Sequence, residues 1–145
     1  MNRIAGLACA GLFVLILGCG SEAPYRKPTS PVTGKITVDG TPPGLAIQIQ
    51  CHPAGGMDAT HPSFSQTESD AEGNFRISTY DEGDGMPAGE YTLTFKMQEF
   101  NVMSRDYGGP DQLGGRYSDP ATSTFKVTVT EGKPTDLGVI ELKTK

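Results

Sequence analysis

The chain has 145 residues, of which 36% are hydrophobic, and its 12 Lys and Arg against 17 Asp and Glu give a formal net charge of −5 at pH 7. This length suits a single domain of ordinary size. An acidic balance without clustered basic residues excludes the electrostatic footprint of a nucleic-acid-binding protein, so we expect no nucleic-acid partner.

The first 19 residues have the pattern of an export signal. Arg3 supplies a positive charge, and an apolar stretch of about 14 residues follows over 4–17; this is too short for a permanent membrane span, which needs roughly 20 residues, but suits the core of a cleaved signal. The residues Ile-Leu-Gly-Cys that end at Cys19 resemble the lipobox of bacterial lipoproteins. That resemblance implies removal of residues 1–18 and lipidation of Cys19. An ordinary secretory signal and a single N-terminal anchor are the alternatives.

Lipidation of Cys19 predicts a cell-envelope location, lipid-anchored, on the outer membrane or a periplasm-facing membrane surface. One acyl chain binds a membrane only marginally, whereas the two or three chains implied by the lipobox give stable anchoring. An acidic domain is also mildly repelled by anionic headgroups, so membrane lipid would be the partner through acylated Cys19 and not through a basic patch.

The segment 19–31 is polar, contains three prolines and shows no hydrophobic periodicity. This composition predicts an extended, flexible tether that begins at the lipidated Cys19. We therefore divide the chain into a signal peptide over 1–18, a tether over 19–31 and one domain over 32–145.

Cys51 is the one cysteine left for the domain, because Cys9 lies in the signal and Cys19 would carry lipid. No intramolecular disulfide is then possible. Leu45, Ile47 and Ile49 share a strand face with Cys51, which predicts that Cys51 is a small buried hydrophobic residue.

From Val32 onward, short segments of alternating polar and apolar residues are separated by Gly, Pro, Asn and Asp. The clearest has Tyr91, Leu93, Phe95 and Met97 on one side. Such a pattern predicts an all-β fold, a seven-stranded antiparallel β-sandwich. The predicted strands are 32–38, 45–51, 64–68, 75–79, 90–97, 125–129 and 137–142.

Three motifs in order strengthen this prediction: Val-Thr-Gly-Lys-Ile-Thr-Val-Asp-Gly from Val32, Ser-Asp-Ala-Glu-Gly-Asn-Phe ending at Phe75, and Met-Pro-Ala-Gly-Glu-Tyr-Thr-Leu-Thr from Met86. Together they resemble the carboxypeptidase regulatory-like domain. With Tyr-Ser-Asp-Pro from Tyr117, the chain is similar to small bacterial lipoproteins that carry one such domain. The resemblance implies a transthyretin-like (prealbumin-like), Ig-like sandwich that acts as a structural or interaction module without catalytic residues. In the second motif, Gly73 suits a turn that needs positive φ.

The residues that carry chemistry are few. A nucleophilic Ser or Cys needs a histidine base, and the chain has only His52 and His61. Both histidines could join Asp58 in a metal site, and the acidic loop 81–85 could hold a cation such as Ca²⁺; isolated loop histidines and a solvated turn are the simpler readings. We therefore expect no enzyme activity, no cofactor and no metal, with a small metal-dependent enzyme as the least favoured alternative.

The longest irregular segment covers 101–123. Long loops in compact domains are often functional, and Arg105, Tyr107, Arg116 and Tyr117 are residue types that suit carbohydrate or peptide contacts. The alternative is a loop that covers a sheet edge, with Tyr117 packed onto the sandwich. The sequence thus favours an anchored structural or interaction module with an envelope protein or glycan as a further partner, and a carbohydrate- or peptide-binding lipoprotein as the second candidate.

Overall fold

The structure is a computed structural model that describes residues 24–145. This part of the chain is all-β, and no helix in it is long and apolar enough to cross a membrane. Its strands are β1 (Thr29–Ser30), β2 (Val32–Val38), β3 (Gln48–Pro53), β4 (Ser65–Glu68), β5 (Asn74–Arg76), β6 (Met86–Pro87), β7 (Gly89–Lys96), β8 (Glu99–Asn101), β9 (Asp106–Gly108), β10 (Lys126–Val129) and β11 (Thr135–Leu142).

The sequence predicts seven strands, whereas the described residues form eleven, of which seven make up the two larger sheets. One sheet has the order β10-β7-β3-β4, and the other has the order β11-β2-β5. The remaining strands pair as β1-β6 and β8-β9. The seven predicted segments correspond to the seven strands of the larger sheets, with ends that shift by a few residues.

The two sheets pack face to face around one apolar core. The prediction that Tyr91, Leu93, Phe95 and Met97 face inward is confirmed. Inward side chains alternate along each strand because successive residues of a strand point to opposite faces. The core is completed from the other strands and the segments between them by Val32, Ile36, Val38, Ile47, Ile49, Cys51, Phe75, Ile77, Met86, Leu113, Val127, Val129, Ile140 and Leu142.

One pair departs from the predicted antiparallel arrangement, because β11 runs parallel to β2. These strands come from opposite ends of the domain, so no tight hairpin forces them to be antiparallel. Their register shifts between Asp136 and Val139, where Gly138 has a φ of 63°. The bulge keeps Ile140 and Leu142 on the core face.

The folded domain also begins earlier in the chain than predicted, because the last residues of the predicted tether over 19–31 belong to it. Thr29 and Ser30 pair with Pro87 and Met86, and the buried Ser30 hydroxyl accepts a hydrogen bond from the Gly132 amide at 2.9 Å. Strands of two residues are too short to leave a periodic pattern in the sequence. The part of the predicted tether before Pro24, including Cys19, lies outside the described residues.

The strand predicted over 45–51 begins later than expected. Leu45 is exposed, and β3 begins only at Gln48. Ile47, Ile49 and Cys51 are buried as predicted. The prediction for Gly73 is also confirmed: its φ is 88°, and a Cβ there would lie 1.9 Å from the carbonyl oxygen of Ile36. A side chain at this turn would therefore collide with β2.

Candidate functional site

The outer face of the four-stranded sheet carries a polar groove at its β4 edge, with a volume of about 720 Å³. Its floor is made by side chains of β3 and β4 that point away from the core. Gln50 lies opposite Gln66, and Gln48 lies opposite Glu68. Direct cross-strand neighbours are about 5 Å apart, so these amides and the carboxylate form one continuous polar surface.

A wall along the groove is built by the segment that follows β5. The backbone N–H and carbonyl of Ser78 pair with those of Gln66 at 3.1 and 2.9 Å, which fixes this segment to the edge of β4. Tyr80, Asp81 and Glu82 continue the wall. An exposed ring, Phe64, lies at the start of β4 and contributes the apolar part of the lining.

Two of the three carboxylates of the acidic loop 81–85 are engaged within the fold. The Asp84 carboxylate accepts hydrogen bonds from the amides of Thr79 and Tyr80 at 2.7 and 3.1 Å. Asp81 pairs with Arg26. Among the described residues, no group of three or more His, Cys, Asp and Glu side chains converges in a way that could hold a metal ion. Asp81 and Glu82 of this loop line the groove.

The two histidines and Cys51 point in different directions. Cys51 faces the core, and its burial raises the pKa of the thiol to about 12. His52 lies on the outer face, where its Nε2 is 2.9 Å from the Thr94 hydroxyl oxygen. The ring of His61 packs on Tyr25 with a centroid distance of 4.2 Å. The arrangement separates the thiol from both imidazoles, so it does not form a nucleophile and base pair.

The structure places the four predicted ligand-binding residues in different surroundings. Arg105 and Arg116 are exposed, and Arg105 has a φ of 54° at the tip of the β8–β9 hairpin. Tyr107 lies in β9 against Phe100, with ring centroids 5.2 Å apart. Partial burial and the neighbouring Glu68 carboxylate raise the pKa of Tyr107 to about 12. Tyr107 therefore belongs to the β4 edge of the sheet, beside the groove.

Tyr117 lies at the opposite edge of the same sheet. Its carbonyl accepts a hydrogen bond from the Phe95 amide at 2.9 Å, and its ring packs against Phe125. Since β3 and β7 separate the two edges, the structure does not bring Tyr107 and Tyr117 together. The ligand-binding role of the four residues stays a prediction, but they do not share one surface.

The second half of the 101–123 segment covers the edge of β7 beyond the end of β10. The Asp111 carboxylate accepts a hydrogen bond from the Met97 amide at 2.9 Å, and the Ser123 hydroxyl donates one to the carbonyl of Leu93 at 2.6 Å. Leu113 is fully buried in the core. The loop thus satisfies backbone groups that an open sheet edge would leave unpaired.

Sequence reasoning did not identify the groove residues Gln48, Gln50 and Gln66, or the rings of Phe64 and Tyr80 that lie beside them. The alternating pattern of β3 places Gln48 and Gln50 on the outer face of the sheet, and this was the signal in the sequence that could have identified them. Sequence could not show that β4 is the neighbour of β3 and that the Ser78 segment continues the sheet.

No family model and no curated protein matches this chain. Among solved structures, a 9R-lipoxygenase from Cyanothece PCC8801 matches with a TM-score of 0.38 and 17% sequence identity, over 84% of this chain and 18% of the lipoxygenase chain. This chain therefore spans less than a fifth of the lipoxygenase. A similarity of this degree carries no argument about function.

Proposed function

We propose that this chain is a cell-envelope lipoprotein, anchored through lipid on Cys19, whose β-sandwich is a non-catalytic interaction module. The observation that carries the proposal is the lipobox-like sequence at Cys19, followed by a segment that is docked on the sandwich through Arg26 and Lys27. An anchor at that position would hold the folded domain directly at a membrane surface.

The surroundings of the reactive side chains support a role without catalysis. The thiol of Cys51 is buried and its raised pKa keeps it protonated at neutral pH. His52 lies on the outer face of the sheet, opposite to Cys51, and its ring forms a hydrogen bond with the Thr94 hydroxyl. The Asp84 carboxylate accepts a hydrogen bond from a backbone amide. These three groups are therefore occupied within the fold. The outer faces of the sheets and the groove remain as surfaces for partners.

Subcellular fractionation tests the anchor, with Cys19→Ser compared against Cys9→Ser. Both variants remove one thiol from the first 19 residues, but only Cys19→Ser removes the proposed lipid attachment site. We expect Cys9→Ser to remain with the membranes and Cys19→Ser to leave them, and mass spectrometry to find acyl chains on Cys19 of the mature protein. A mature chain that begins elsewhere, or whose Cys19 is unmodified, would contradict the proposal.

A second candidate function is binding of carbohydrate by the groove, and the specific observation in its favour is the lining. Amide side chains donate and accept hydrogen bonds at once, which matches sugar hydroxyl groups. Gln50 and Gln66 offer two such amides side by side, with Tyr80 as a ring against which a sugar could pack. The open, mostly polar groove suits a hydrated ligand better than an apolar one.

A glycan array with the purified domain tests this candidate and distinguishes the groove from the 101–123 loop. If the groove binds, Gln50→Ala with Gln66→Ala removes binding, while Arg116→Ala leaves it intact. Loss of binding with Arg116→Ala alone would assign the ligand to the loop. A wild-type domain that binds neither glycan nor peptide would contradict this second candidate and leave the first unaffected.

A further inference from the structure

Three large apolar side chains are exposed at one end of the sandwich. Tyr25 is 61% exposed, Met57 52% and Phe64 63%. Met57 and Phe64 belong to the loop between β3 and β4, and Tyr25 belongs to the first described segment of the chain. The contact between the rings of Tyr25 and His61 joins this segment to the loop. We call Tyr25, Met57 and Phe64 the apolar end.

The charges beside the apolar end are largely paired. Lys27 Nζ lies 2.7 Å from a carboxylate oxygen of Asp58, and Arg26 pairs with Asp81 while its guanidinium lies 5.5 Å from the ring centre of Tyr80. Pairing reduces the local field of both signs, so these four charges neither drive nor block an approach to a lipid headgroup layer. The apolar side chains then decide which surface this end prefers.

The anchor site lies close to the apolar end along the chain. The five residue-to-residue steps from Cys19 to Pro24 span at most about 18 Å when fully extended. Tyr25, the next residue, is part of the apolar end itself. An anchor at Cys19 therefore limits this end of the sandwich to the immediate neighbourhood of the bilayer, an inference that rests on the proposed function.

We infer that the apolar end is a membrane-contacting surface, with Tyr25, Met57 and Phe64 seated in the headgroup region of the bilayer that carries the anchor. Aromatic side chains favour this region because it accommodates both their apolar and their polar parts. Partial burial of the three side chains in the interface supplements the acyl chains and fixes the orientation of the domain. The exposed carboxylate of Glu90, near this end, keeps the insertion shallow.

This orientation directs the β8–β9 hairpin away from the membrane. Gly89, the first residue of β7, lies beside Lys27 and Met57. The strand then runs for about 24 Å before the chain enters the hairpin. Met103 at the hairpin tip is 95% exposed. Met57 and Met103, which are both exposed, therefore mark opposite ends of the domain.

Site-specific fluorescence quenching tests the orientation in the intact, lipidated protein. Met57→Cys and Met103→Cys form a matched pair, each labelled with bimane and reconstituted into vesicles of phosphatidylethanolamine and phosphatidylglycerol that contain lipids with nitroxide headgroups. The buried Cys51 stays unlabelled in the folded protein, so a stoichiometry of one label also reports that each variant is folded.

We expect the label at residue 57 to lose roughly half of its fluorescence or more, because shallow insertion places it within the quencher layer, and the label at residue 103 to remain bright. Adding Tyr25→Ser and Phe64→Ser to the Met57→Cys variant should reduce the quenching while the protein still floats with the vesicles. Equal quenching at both sites, or stronger quenching at residue 103, in protein that floats would overturn the inference and leave the anchor intact. Protein that does not float would contradict the anchor and the orientation together.

Discussion

The hydroxyl oxygen of Tyr117 accepts a hydrogen bond from the backbone N–H of Lys143 at 3.0 Å. Tyr117 belongs to the loop that covers the edge of the four-stranded sheet, whereas Lys143 follows the last strand of the three-stranded sheet. The ring of the same tyrosine packs against Phe125. One side chain therefore connects the two sheets at the edge where the core would otherwise open.

This relationship predicts that Tyr117→Phe lowers the free energy of unfolding by about 1 kcal/mol, the net contribution of one hydrogen bond. Tyr117→Ala should cost about 3 kcal/mol or more because the ring is also lost. Urea unfolding measures both, with Tyr25→Phe as the control, because the Tyr25 side chain is 61% exposed and its ring packs on His61 away from the core. Equal stability of Tyr117→Phe and the wild type would show that the bond contributes nothing.

Gly34 in β2 is predicted to be intolerant of any side chain. A Cβ at this position would lie 2.6 Å from Cζ of Phe75, whose ring fills the space above the glycine. Gly34→Ala should therefore lower the free energy of unfolding by about 1–3 kcal/mol through overpacking. Thermal or urea unfolding checks this, with Gly55→Ala as the control because nothing lies within 4 Å of its added Cβ.

A second substitution tests the cause. If the Phe75 ring is the obstacle, Phe75→Leu should cost less in the Gly34→Ala background than in the wild type, since leucine is smaller and the two changes are coupled. Strictly additive costs would indicate that the backbone of β2, and not the ring, resists the change.

Cys51 should make the stability of the domain depend on pH in the alkaline range. Its pKa is raised by burial from 9.0 to about 12, so the folded state disfavours the thiolate. The stabilisation is fully present below pH 9 and is lost as the pH rises towards 12. Urea unfolding across this range should show a steeper loss of stability for the wild type than for Cys51→Ala. Parallel pH profiles would contradict the expected burial of the thiol.

The docking of the first described residues should depend on the ion pair between Lys27 and Asp58. The hydrogen bond from Lys27, followed by those from the His61 and Thr60 amides, lowers the pKa of Asp58, and the same pair raises the pKa of Lys27. The contribution of Asp58 is present above its ordinary pKa of 3.8 and is lost as the pH falls below that value; that of Lys27 is present below 10.5 and is lost above it. Between these limits the docking should not vary with pH.

Limited proteolysis at pH 8 measures that docking directly. Asp58→Asn should speed tryptic cleavage after Arg26, because the segment separates from the β3–β4 loop more often. Cleavage after Arg105 in the exposed hairpin serves as the internal reference and should not change. A cleavage rate at Arg26 that is the same in the variant and in the wild type would show that the ion pair does not hold the segment.

Much of the fold could be predicted because its strands leave local signals. Leu93 and Phe95 are inward in the sequence pattern and in the structure, and Cys51 is buried as its strand neighbours predicted. Thr92 and Thr94 are buried as well, although they belong to the outer face. Their burial depends on Lys126 and His52, which lie on adjacent strands and hydrogen-bond to them, so no pattern within β7 could have shown it.

The candidate site was less predictable than the fold, because it also depends on contacts between strands that no local pattern shows. Sequence reasoning selected the 101–123 segment on its length and residue types, but Tyr107 and Tyr117 lie at opposite edges of one sheet. Conversely, Gln50 and Gln66 are 16 positions apart and carry no motif, yet they are direct neighbours across β3 and β4. Such a surface depends on which strands pair, and pairing is a long-range property.

The sequence by itself determined the all-β class, the approximate positions of the seven strands of the larger sheets and the inward face of most of them, because alternation and turn residues act over only a few positions. It also supplied the lipobox-like pattern at Cys19 on which the proposed anchor rests. Only the tertiary structure decided that β11 lies parallel to β2, that Thr29 and Ser30 belong to the folded domain, and that a polar groove lies along β4. Those features arise from contacts between distant segments, whose free energy depends on packing that no local pattern encodes.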